Sequence, residues 1–444
     1  MSLVRLRGWL VDLRDSLWLL PAVSIVLAVL LAIFLGELDQ PAWWPVGWGF
    51  GGTPEGARAV LSELAGATIT VVGLVFSLTV IALQMAAAQF TPRLLRTFLA
   101  DRRTQIVLAG MLASAAYNVA VLRVVRSSGD GVDTYVPEIA VTVALLLAAV
   151  ALGLLVFFLH HVTRQLRVDL VMAGIAEQTR HQLRQLDAPR DQLPDRRPPV
   201  PGAAASTVSA RRGGYLQTVD VDGLADIARD AGVRLRLRPG LGDSVSTGTT
   251  LAWVWPDGAD APEGAEDVDL DRRIHAAIHL GPDRTESRDL TFGLQQLTDI
   301  AVKALSPGIN DPTTARQSVE QLAGLLVDLA DRPLGADLVE DDDGQVRAAV
   351  PRPTFVEHLQ LSITPIRRYG RDEPDVLLAL TDLLTDVAEH VADHADRSGA
   401  VAHELDLLAA CEVDDPDEAA RLERRIAAAR ATLEHGTRPA LTSG

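Results

Sequence analysis

Apolar and polar positions alternate differently in the first third of this chain and in the rest. Four apolar stretches, Leu17–Gly36, Ala67–Phe90, Gln105–Val125 and Glu138–His161, follow one another with no charge at the centre of any. Each reaches the roughly 20 residues a helix needs to cross bilayer hydrocarbon. Lipid offers no partner to a backbone amide, so all four are predicted to be transmembrane helices within a membrane domain spanning residues 1–165. A helical pattern continues through Leu166, Leu170, Ile175 and Leu183 until the proline-, alanine- and arginine-rich run Gln192–Arg212 breaks it. Residues 166–212 therefore read as a cytoplasmic helix and linker. Over 213–285 the period shortens to strands at Tyr215–Val221, Arg234–Arg238, Leu251–Val254 and Ile274–Leu280, which predicts a small β-barrel or sandwich. A mainly helical domain follows over 286–437, with a hairpin at Asp341–Gly344 and helices at Val376–Ala395, Val401–Ala410 and Asp415–Leu433. Residues 438–444 are predicted to be a disordered tail. The predicted fold class is an α-helical integral membrane protein with four transmembrane helices and a mixed α+β cytoplasmic domain.

Within the second span the small and polar residues form a stripe: Gly66, Thr70, Gly73, Ser77, Gln84 and Thr91 recur at heptad-related steps. The series Gly110, Ser114, Asn118 in the third span looks the same. Helix packing in membranes uses such residues routinely. Alternatively, Thr70, Ser77 and Gln84 face water at the centre of an oligomer and line a narrow neutral pore. No span carries a buried carboxylate or lysine, which argues against a proton relay or an ion-coupled transporter.

Charge fixes an expected orientation. Arg5, Arg7, Arg14, Arg93, Arg96, Arg102, Arg103, Arg164 and Arg167 fall on one side of the spans, against Arg58, Arg123 and Arg126 on the other. The positive excess marks the cytoplasm, so both termini are predicted inside a cytoplasmic (inner) membrane. Three tryptophans in the outer loop, Trp43, Trp44 and Trp48, suit an interfacial belt. The net charge of −17 belongs mostly to the later two thirds and argues against nucleic-acid partners. Cys411 is the only cysteine, which excludes an intramolecular disulfide.

Ser306-Pro307-Gly308-Ile309-Asn310-Asp311-Pro312-Thr313-Thr314-Ala315-Arg316 interrupts two helical patterns between Leu290 and Asp331. Asp311 is a good N-cap and Pro312 suits the first helical position. The same helix start, with Ser306, Gly308, Asn310, Asp311, Thr313, Thr314 and Arg316, is a candidate turn for a small anion or other ligand. Gly242–Leu251 resembles the turn-strand-turn of biotinyl and lipoyl hammerhead domains. No lysine stands at its tip, since the single lysine is Lys303, so a prosthetic-group carrier is excluded. His390 and His394, four apart in a helical pattern, have zinc-compatible spacing without a third ligand. They read as a satisfied or solvated pair, His160 and His161 as a membrane-edge pair, and Asp341–Asp343 as an acidic turn. No metal site, cofactor or catalytic residue is predicted.

The block Phe292–Leu305 leading into Ser306–Pro312, together with Val75-Phe76-Ser77-Leu78-Thr79 and Gln89-Phe90-Thr91-Pro92-Arg93, resembles the bacterial predicted membrane proteins grouped as domain of unknown function 2254. The resemblance extends over nearly the whole chain. It implies four amino-terminal spans and a cytoplasmic carboxy-terminal domain, and no reaction. The chain carries no phosphate-cradling glycine loop, nucleophile elbow or zinc-protease pair, so it is not expected to be an enzyme. Its expected partners are the lipid bilayer, further copies of itself as a homo-oligomer, and an unidentified small ligand. The functional expectation is an oligomeric passive channel with a cytoplasmic vestibule or gate. The alternative is a membrane-anchored sensor or scaffold acting through the Ser306–Arg316 turn.

Overall fold

A computed structural model of the protein describes residues 18–38, 50–89, 101–126, 135–165, 167–185, 198–201, 205–257, 268–282, 284, 289–341 and 343–435. The tryptophans at 43–48, the arginines Arg5, Arg7, Arg14, Arg93 and Arg96, the Phe90–Arg93 part of the second-span motif, positions 192–197 and the 438–444 tail lie outside the described residues. The chain divides between Arg167 and Val168 into two compact units.

In the first unit, helices α1 (Leu19–Leu38), α2 (Pro54–Gln89), α3 (Arg102–Val124) and α4 (Glu138–Gln165) are each long and apolar enough to cross a membrane. Helix α2 begins well before Ala67, because Pro54 starts it and its charged first turns carry no apolar signal. Half of the apolar window of α3 is buried (50%), against 22%, 17% and 22% for α1, α2 and α4. Helix α3 is therefore the one the others pack around. Two apolar clusters hold it. One joins Ala28 and Ala32 of α1, Ala57 and Leu61 of α2, Tyr117 and Val121 of α3, and Ala140 and Ala144 of α4. The other joins Val75, Val107, Met111, Ala151 and Phe158. Alanines at the contacts let the backbones approach closely, which suits helices that gain little from hydrophobic burial in lipid. Tyr117, fully buried, donates its hydroxyl to the Ala140 carbonyl at 3.1 Å, satisfying a polar group that hydrocarbon would leave unpaired.

The second unit opens with helix α5 (Val168–Leu183), followed by two sheets and a helical bundle. Strands β1 (Ser206–Ser209), β2 (Gly214–Val219), β3 (Val233–Leu237), β4 (Ser244–Val245), β5 (Thr250–Pro256), β6 (Ile278–Gly281), β7 (Asp337–Glu340) and β8 (Val346–Val350) form a five-stranded sheet, β1-β5-β3-β8-β7, and a three-stranded sheet, β4-β2-β6. Among the described residues neither sheet closes on itself, so of the expected barrel or sandwich the closed barrel does not form, and two open sheets stand in its place. Their buried side chains share one core with helices α6 (Val221–Asp230) and α7 (Val268–Ala276). Ile274 to Ala276, expected in a strand, belong to helix α7 instead. Within the run read as linker, Ser206–Ser209 is an edge strand paired antiparallel with β5. Hairpin β7–β8 forms where expected, and β8 pairs in parallel with β3, so the larger sheet draws on chain from both sides of position 286.

Helices α8 (Leu290–Ala304), α9 (Pro312–Ala330), α10 (Phe355–Tyr369), α11 (Pro374–Val391), α12 (Ala395–Ala409) and α13 (Pro416–His435) complete the unit. Buried Arg397 donates to the Ala330 and Arg332 carbonyls at the end of α9 and stacks over Phe355. It satisfies carbonyls left free at a helix C-terminus. Gly293 on α8 could be nothing larger, because a Cβ there would run into Thr179 of α5.

At one rim of the five-stranded sheet, Arg347 reaches Asp341 at 2.6 Å and also pairs with Asp257, which accepts from Arg234 at 2.6 Å. The Arg234 hydrogen bond, joined by the charge of Arg347, holds the Asp257 carboxyl below its usual range. The Gln345 amide, then Arg347, does the same for Asp341. Carboxylates with lowered folded-state pKa stabilise the fold above their unfolded value of about 3.9 and lose that contribution as pH falls through the folded value. The thermal unfolding midpoint is therefore expected to fall with acidification below about pH 4, and less steeply in Arg347→Met. Equal acid sensitivity in parent and variant, read by circular dichroism, would remove this network as the cause.

Candidate functional site

The side of α2 that is buried decides where its polar residues point. Ala57, Leu61, Ala65, Thr68, Val75 and Ala86 are buried and, at 100° per residue, share one face. Thr70, Ser77 and Gln84 lie on the opposite face and are exposed, as are Gly66 and Gly73. A Cβ added to either glycine would meet nothing within 4 Å. Glu63, one heptad before Thr70, is exposed on the same line, with Leu74 and Ile81 interleaved and also exposed. With 36 residues, α2 is about 54 Å long, well beyond the roughly 30 Å of hydrocarbon. Its charged residues, Glu55, Arg58 and Glu63, all sit in its first turns, which leaves Thr70 and Ser77 at hydrocarbon depth. The Thr70 hydroxyl donates to the Gly66 carbonyl at 2.9 Å.

The similar-looking series on α3 faces the other way. A Cβ on Gly110 would lie 2.5 Å from Leu154 Cδ1 of α4, and Ser114 and Asn118 are completely buried. Asn118 donates its amide to the Ser114 carbonyl at 2.8 Å. This series packs the chain against itself, whereas on α2 a Cβ at Gly66 or Gly73 would meet none of the described residues within 4 Å.

A pairing that the sequence did not reveal joins α3 to α4. Asp101 caps α3, accepting from the Arg103 and Thr104 amides and, at 2.7 Å, from the Thr104 hydroxyl. The same carboxylate meets His161 Nε2 at 2.7 Å, and the buried imidazole stacks on Phe157. His160 is exposed. The two histidines therefore point apart as expected, and only His161 has a structural task. Asp101 and Thr104 had the spacing of an N-cap and its partner, but a partner 60 residues away leaves no local trace.

The structure brings the Ser306–Arg316 residues into one exposed turn between α8 and α9. Ser306 accepts from the Ile309 and Asn310 amides, and the Asp311 amide donates back to Ala304 at 2.9 Å. Asn310 adopts φ 49°, a left-handed conformation that asparagine tolerates. Asp311 is the N-cap and Pro312 starts the helix. The Asp311 carboxylate accepts the Thr314 hydroxyl at 2.6 Å and its amide at 3.1 Å, bonds that hold its pKa below the usual range. Arg316 pairs with Glu320 one turn on. Gly308 and Thr313 are exposed. A negative side chain thus occupies the helix start that an anion would seek, and the cation beside it is engaged elsewhere.

Two further motifs change their meaning. His390 is near the end of α11 and pairs with Asp331 at 3.0 Å, while His394 is the N-cap of α12. They do not share a helix face. In the hammerhead-like run, β4 belongs to the three-stranded sheet and β5 to the five-stranded one, so the segment crosses between sheets. Gly242, at φ 85°, lies against the pair formed by Arg284 and the buried Asp289, which caps α8. Arg284 also donates to Gln295 at 3.0 Å. This loop lies against the start of α8.

The family described as predicted membrane protein, domain of unknown function 2254, matches residues 14–386. An uncharacterized protein of Mycobacterium bovis is 38% identical over 442 residues, covering 97% of this chain and 83% of its own length. An uncharacterized protein of Mycobacterium tuberculosis matches at the same identity and coverage. No solved structure matches the chain.

The opposite facing of the two stripes has a direct consequence. Leucine at Gly110 must displace Leu154 and is expected to cost about 1–3 kcal/mol by overpacking, whereas leucine at Gly73 meets open space. Thermal unfolding of single chains dispersed in detergent should separate Gly110→Leu, lowered, from Gly73→Leu, unchanged. Equal effects would mean that the two faces are not distinguished by packing.

Proposed function

This chain belongs to the family of predicted membrane proteins grouped as domain of unknown function 2254, and from that premise we propose that it is an oligomeric passive channel. Copies gather with their α2 helices around a shared axis, and a small solute or ion passes between the side chains of Thr70, Ser77 and Gln84. The observation that carries this reading is the outward direction of that polar face. Hydrocarbon gives the Ser77 hydroxyl and the Gln84 amide nothing to bond, whereas water and the same face of another copy do. Alternating polar and apolar positions, Thr70, Leu74, Ser77, Ile81 and Gln84, suit a narrow lining with neutral hydrogen-bonding rings. A ring of Glu63 carboxylates one heptad beyond Thr70 would concentrate cations at the mouth and repel anions. With no ionisable residue among the central positions of the spans, conduction is passive.

In this proposal the protein resides in the cytoplasmic membrane, and the arginine distribution puts both termini in the cytoplasm. The acidic second unit then forms the inner vestibule or gate, and the protein catalyses no reaction. A sensor or scaffold acting through the Ser306–Arg316 turn gains less support, since that turn satisfies its own charges.

Planar-bilayer recording tests the proposal. The purified parent should give discrete currents, Ser77→Leu and Gln84→Leu should abolish them, and Glu63→Gln should lower the preference for cations while leaving the pore open. Silence across ions and voltages in a folded, oligomeric preparation would overturn the channel reading.

A further inference from the structure

Residues 198–201, Pro-Pro-Val-Pro, precede the edge strand β1 and run across the sheet to its third strand. Arg236 of β3 donates from Nη1 to the Pro199 carbonyl at 3.1 Å. The same guanidinium lies 5.3 Å from the ring centre of Trp253, its cross-strand partner on β5. Pro198, Pro199 and Pro201 are half-buried, while Val200 is 84% exposed. Val200 therefore points away from the contact, and the three prolines carry the φ that a polyproline II helix requires. Proline fixes φ near the polyproline value and removes the amide, so this segment cannot extend the sheet, and its carbonyls stay free to accept.

We propose that Arg236 and Trp253 form a recognition platform for a polyproline II segment, and that Pro198–Pro201 occupies it in cis as a strap. An aromatic face beside a forked donor is how proline-rich segments are bound between proteins, because the preformed helix loses little entropy on docking. Here the segment lies on the connection between α5, which packs on α8 and α9, and β1 at the sheet edge. The strap thus fixes the path by which the chain passes from the helical layer to the sheet. Val200 takes no part in the contact.

Limited trypsin digestion of the full-length protein in detergent tests the proposal, since Arg196–Arg197 is a cleavable bond immediately before the strap. Pro198→Ser with Pro201→Ser alters the strap without touching the sheet, and Arg236→Ala alters the platform. Either should speed cleavage at that bond about tenfold, because proteolysis follows the population of the locally open form. Val200→Ser should cleave at the parental rate. A fluorescent peptide of residues 195–202 provides the second arm. It should bind the Pro198→Ser, Pro201→Ser protein, whose platform is vacated, and fail to bind when Trp253→Ala is added. Parental cleavage rates in the strap and platform variants, or no peptide binding to the folded strap variant, would overturn the proposal.

Discussion

Hydrocarbon cannot hydrogen-bond, and that one property governs the first unit. It makes the four apolar stretches helical, because only a helix closes its own amides within a single segment. It also leaves dispersion and close approach as the main forces between the helices. Helix α3 meets both demands. Alanines face it from α1, α2 and α4, Gly110 lets Leu154 approach, and Ser114, Asn118 and Tyr117 turn inward, where the Ser114 and Ala140 carbonyls accept bonds. A polar face on α2 that turns away from this core is then an exception among the described spans.

In the second unit charge does work that packing does in the first. Asp101-like capping recurs at its helix starts, with Asp220, Asp289 and Asp311 each accepting from an amide of the helix it begins. Arginines fasten the chain at four places: Arg284 joins Asp289 and Gln295 at α8, Arg347 closes a sheet rim, Arg397 ends α9, and Arg236 holds a proline segment. Arginine suits all four positions because its planar fork can meet two acceptors or an aromatic face at once. The surplus acid on the surface leaves few of these arginines without a carboxylate or carbonyl to meet.

The sequence revealed elements better than their neighbours. Unbroken apolar runs announced the spans, and Asp311-Pro312 announced the start of α9, because those signals are local. The start of α2 at Pro54 was hidden by charges that lie outside the hydrocarbon. The stripes of α2 and α3 have the same composition, so only the surrounding helices could tell an inward face from an outward one. Pairing of β3 with β8, separated by over a hundred residues, has no local signature, and neither has the bond between Asp101 and His161. His390 and His394 kept their helical spacing in sequence although a turn between α11 and α12 separates them.

In the proposed channel the face carrying Ser77 meets the same face of another copy. Because Cys411 is the only cysteine, a Cys411→Ala background permits Ser77→Cys and, on the buried face, Val75→Cys as single reactive positions. A thiol cross-linker of about 10 Å, close to the spacing of packed helices, should join Ser77→Cys chains into covalent dimers in native membranes and leave Val75→Cys monomeric. Ser77→Cys chains that react with a monofunctional thiol reagent yet never cross-link would contradict the account and leave that face to lipid.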